Sequence, residues 1–120
     1  MGIMYQARRS PFEGNEYDLS RLSTYEPANL GFFFTNSINN AKKFHNVVEI
    51  DTVDINKTDF PAIDAGGKNL RDFIQLIKKH KRSGKPGVVL YNVVDGFLHD
   101  EINIVFDSNV IDRLNTIHIK

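Results

Sequence analysis

The residues of this chain with the clearest chemical potential lie near its two ends. Asp100 and Glu101 head the stretch Ile102-Asn103-Ile104-Val105-Phe106-Asp107, in which apolar and polar residues alternate as in a half-buried strand. A carboxylate there offers a fixed anion to whatever binds beside it. Near the other end, Tyr5-Gln6-Ala7 runs into Arg8 and Arg9, guanidinium groups suited to phosphate or simply solvated at a strand end. Between them, Gly31-Phe32-Phe33-Phe34-Thr35 is an aromatic run followed by Ala41 and Phe44. Its rings read mainly as core, but strand alternation sends Phe33 to the opposite face from Phe32 and Phe34. Lys78-Lys79-His80-Lys81-Arg82 is the densest charged patch. It reads as a helix end favoured by the backbone dipole, or as a docking patch formed by Lys78, Lys79, Lys81 and Arg82.

Composition removes many other chemistries. The chain has no cysteine, which excludes disulfides, a thiolate nucleophile and Cys-ligated zinc. Its four histidines, His45, His80, His99 and His118, lack metal-ligand spacing and read as scattered surface residues, so no metal site is expected. Gly66-Gly67-Lys68 lacks the strand–loop–helix setting of a phosphate loop. Lys plus Arg and Asp plus Glu both number 15, so the net charge is zero and bulk electrostatic binding to nucleic acid is not expected. No apolar run approaches the roughly 20 residues that span a bilayer. The sequence reads as one soluble, cytoplasmic domain over residues 1–120.

The elements that would position these groups follow from periodicity. Strands are predicted over Ile3–Ala7, Leu30–Thr35, Val47–Ile55, Val88–Val94 and Ile102–Phe106, with Ile117–Ile119 as a last edge strand. Asn36 or Ser37 caps a helix carrying Ile38, Ala41 and Phe44. Leu70, Phe73, Ile74 and Ile77 define an amphipathic helix that Gly84 stops. Residues 8–29 and 60–68 read as loop, with a helical turn near Asp18–Leu22 and another over Asn109–Leu114. Asp95-Gly96 is a hairpin signal. The class is α+β.

Taken together, the Gly31–Thr35 block with Ala41, and Gly87–Gly96 followed by Ile104–Ile111, resemble the ADP-ribosyltransferase-like domains of phage polyvalent proteins. The resemblance covers roughly Tyr5 to Ile111. It implies two small, mostly antiparallel sheets forming a cleft, flanked by two or three helices, with NAD bound between them as substrate. It also implies mono-ADP-ribosylation of a host protein by a phage or mobile-element anti-defence factor, acting in the host cytoplasm. On this reading Gln6, Ala7 and Arg8 hold the dinucleotide, Phe33 and Phe44 hold the nicotinamide, and Glu101 supports glycosidic cleavage, assisted by Gln6. Asp100 and His99 are weaker candidates. The chain departs from the family pattern at Gln6, where His or Arg is usual, and at Ala7, where Gly is usual. Aligning the late strand puts Ile102 at the family's Glu position and Glu101 one residue early. Either a bulge restores Glu101 to the cleft, or it is not the acid. The alternative is the same fold without transferase activity, inhibiting a partner by direct contact.

Overall fold

The computed structural model describes residues 2–8 and 29–119. Arg9 and the turn expected near Asp18–Leu22 lie outside the described residues. The strands are β1 (Gly2–Arg8), β2 (Phe32–Thr35), β3 (Glu49–Ile55), β4 (Ala62–Asp64), β5 (Gly87–Asp95), β6 (Phe97–Val105) and β7 (Ile111–His118). The α-helices are α1 (Ile38–Lys43) and α2 (Ile74–Arg82).

The seven strands among the described residues join one mixed sheet in the order β4-β5-β6-β2-β1-β3-β7, an α+β architecture. The expectation of two small sheets is therefore corrected, and one contact makes the difference. β1 and β2 are bridged at the single pair Tyr5–Thr35. By contrast, β1 pairs β3 along its full length, and β2 pairs β6 along its own. The bridge fuses a β4-β5-β6-β2 half to a β1-β3-β7 half. Neighbours are antiparallel except β4 and β5.

The aromatic strand and the helix after it form as their residues dictate. Ser37 caps α1, its Oγ accepting from the Asn40 amide at 3.2 Å, and Ala41 is fully buried. Gly31 lies so close to β6 that a Cβ there would sit 2.5 Å from the Val105 carbonyl oxygen. The predicted amphipathic helix is split. Its first turn, Leu70–Phe73, is 3-10, capped by the Asn69 side chain, and α2 continues from Ile74. Gly84, at φ 85°, ends it in the left-handed region. β5 and β6 form the hairpin signalled by Asp95-Gly96, with Gly96 at φ 75°.

Two further expectations fail. The stretch 60–68 contains β4, a short edge strand pairing in parallel with β5, which Pro61 and the glycines had obscured. The expected helical turn over Asn109–Leu114 is a 3-10 turn at Ser108–Val110, and from Ile111 the chain is already strand β7.

A core fills each face of the sheet. Leu30, Leu70, Ile77, Val88, Leu90, Ile102 and Ile104 pack beneath α2, with Phe33 against them. Met4, Phe32, Phe34, Val53, Ile55 and Val105 form the second cluster. Phe33 thus lies across the sheet from Phe32 and Phe34, as alternation requires.

Candidate functional site

Cross-strand pairing decides which side chains share a face. Phe33 pairs with Ile104, and Phe34 pairs with Asn103. Asn103 is therefore on the Phe34 face, and Glu101, two residues earlier on β6, joins it there. Gln6 and Arg8 lie two and four residues beyond the core residue Met4 on β1 and share its face, beside their cross-strand partners Asp51 and Glu49. Ala7 falls on the other face.

Glu101 is held in place. Its Oε2 accepts from Lys57 Nζ at 2.5 Å and from Asn103 Nδ2 at 2.9 Å. The Tyr91–Glu101 and Leu90–Ile102 pairs run in regular register, so no bulge shifts Glu101 across the strand. Ile102, which the resemblance would align with an acidic residue, points into the core. The expected convergence of Gln6, Phe33 and Glu101 is corrected: Phe33 lies on the opposite face from Glu101 and Gln6.

Arg8 serves the sheet. Its guanidinium pairs with Asp51 and, at 3.2 Å, with Glu49. Asp51 also accepts from the Thr116 hydroxyl at 2.7 Å and faces Arg113 at 3.3 Å. Asp51 has no exposure. A carboxylate so buried is tolerated only when paired and hydrogen-bonded, so this network ties β1, β3 and β7 together. The composition alone did not mark Asp51. It falls between apolar residues as on a half-buried strand, and the pairing of β3 with β7, through Thr116, makes it internal.

Phe44, expected over a nicotinamide with Phe33, caps the C-terminus of α1 and packs elsewhere. Its ring stacks on His99 with centroids 5.7 Å apart and meets Phe97 at 5.2 Å, while Phe97 and His99 are 4.4 Å apart. His99 is fully buried, correcting its reading as a surface residue. Its Nε2 lies 3.2 Å from the Asp95 carbonyl oxygen and its Nδ1 3.1 Å from the Thr35 hydroxyl. Burial lowers the His99 pKa below its ordinary value, and Lys43 adds to this, while Asp95 and Asp100 oppose it. Burial raises the carboxyl of Asp95, partly offset by His99 and Arg71.

The basic end of α2 is only partly free. Lys81 Nζ donates to the Leu30 carbonyl at 3.0 Å and lies 5.7 Å from the Phe106 ring centre, so it is a strut rather than a docking contact. Lys79, Arg82 and Lys85 are exposed. Among the described residues there is no cluster of metal-ligating side chains, and no helix is long and apolar enough to cross a membrane. No family model, curated protein or solved structure matches the chain significantly.

Proposed function

We propose that this chain is an ADP-ribosyltransferase-like module without transferase activity, which acts by contact with a partner protein. The observation that carries this reading is the state of Glu101. A transferase needs an anion free to meet positive charge as it develops on the ribose. Here Glu101, the leading candidate carboxylate, is neutralised by Lys57 and turned to the face opposite Phe33. Gln6 is uncharged, and Arg8 is engaged by two carboxylates. The partner surface on this reading is the exposed cationic end of α2 and the turn that follows it, where Lys79, Arg82 and Lys85 suit an acidic protein surface. A phage or mobile-element factor binding a host defence protein is the setting the resemblance implies.

One observation favours the rival reading, an NAD-dependent mono-ADP-ribosyltransferase. The sheet narrows to one pair at Tyr5–Thr35, leaving Gln6–Arg8 and Phe32–Phe34 along a seam without further pairing, next to the residues expected to hold NAD. Incubation of the pure protein with labelled NAD and host lysate separates the two. The binding module releases no nicotinamide above background, and it captures a partner that Lys79→Glu/Arg82→Glu loses and Glu101→Gln retains. Nicotinamide release abolished by Glu101→Gln would establish the transferase instead.

A further inference from the structure

His99 is the one fully buried imidazole among the described residues. It sits where three elements meet: the tip of the β5–β6 hairpin, the C-terminal end of β2, and the end of α1. We propose that His99 is a protonation-controlled latch that pins the hairpin tip to the end of α1, and that acid releases the tip.

The hydrogen bonds fix the tautomer of the neutral ring. A carbonyl oxygen only accepts, so Nε2–H donates to the Asp95 carbonyl at 3.2 Å. Nδ1 is then the bare nitrogen and accepts from the Thr35 hydroxyl at 3.1 Å. The neutral Nε2–H tautomer satisfies both nitrogens. A proton arriving from solvent on Nδ1 turns that acceptor into a donor. The Thr35 hydroxyl must then rotate to accept, and a cation lies between the rings of Phe44 and Phe97.

The charged groups around the ring divide. Asp95 on β5 and Asp100 on β6 favour the proton, while Lys43 on α1 opposes it. Lys43 Nζ itself lies 5.5 Å from the Phe97 ring centre. Arg71, beyond Asp95, draws on the same carboxylate. Burial outweighs these and favours the neutral ring. The latch is therefore closed above the ordinary histidine value of 6.5 and loosens as pH falls from there through the folded-state value. Release uncovers Phe44 and Phe97 beside Leu98, which is already 56% exposed. The result is a larger apolar surface in acid than at neutral pH.

Amide hydrogen exchange of the wild-type protein at about pH 7.5 and about pH 5, corrected for intrinsic rates, tests the latch together with an NMR titration of the imidazole. The His99 ring titrates below its ordinary value. Protection of the 94–98 amides falls by up to about tenfold per pH unit between the ordinary value and the ring's own lower value, and levels off beneath it, as one proton per opening requires. The β1 and β3 amides stay protected. In His99→Gln the hairpin protection is the same at both pH values. If that variant does not fold, the wild-type titration and exchange decide alone. The latch is refuted if the ring titrates at or above the ordinary value, if hairpin protection does not change with pH, if β1 and β3 open together with the hairpin, or if folded His99→Gln keeps the acid response.

Discussion

Replacing Asp51 with Asn tests whether the ionic network on β1, β3 and β7 is structural or is a vacant ligand site. Asn preserves the shape and one acceptor but removes the charge that faces Arg8 and Arg113. Arg8 keeps Glu49 at 3.2 Å, so the loss is partial. Removing one partner from a buried ion pair costs about 3–5 kcal/mol, and the remaining carboxylate puts the expectation at about 3 kcal/mol. With a urea slope of about 2 kcal/mol per molar for a domain of this size, the unfolding midpoint falls by about 1.5 M. The loss is a large share of the roughly 5–15 kcal/mol that holds a domain together. Arg8→Met on the Asp51→Asn background should then cost much less than it does alone, with a coupling of about 1–3 kcal/mol. If Asp51→Asn moves the midpoint by less than about 0.5 M, or if the two changes are additive, the network is not what holds these strands, and Arg8 returns as a candidate ligand cation.

Ile77, fully buried where α2 meets the sheet, should lose about 2–5 kcal/mol on truncation to Ala, read as a lower thermal midpoint. Asp95→Asn keeps a turn-forming Asn-Gly pair while removing a carboxyl whose pKa is raised by burial. The wild-type group binds its proton more tightly when folded. Its ionisation therefore costs stability as pH rises through the folded value, and the Asn variant should gain on the wild type across that window in denaturation curves at stepped pH. A variant less stable than wild type at neutral pH would contradict the assigned cause.

Local sequence was enough for the elements whose side-chain pattern and punctuation agree. The rings of Phe32–Phe34, the cap at Ser37, the Asp95-Gly96 turn and the apolar stripe from Leu70 to Ile77 each specify structure within a few residues of themselves. So the aromatic strand, the following helix, the hairpin and α2 were legible. The same alternation rule, applied to Ile102, already warned that Glu101 stands one residue from the place an acid would need. What no local pattern contains is pairing. β4 is strand because β5 lies beside it, and β7 because β3 does. Asp51 and His99 become internal only when distant strands cover them, Asp51 through Thr116 and His99 through Thr35. The one pair between Tyr5 and Thr35 makes two half-sheets into one. Side-chain direction along a strand is fixed by its own backbone, but which groups meet across the sheet is fixed only when register is set by the whole fold. That is why the sequence could nominate Gln6, Phe33 and Glu101, and only the tertiary structure could separate them.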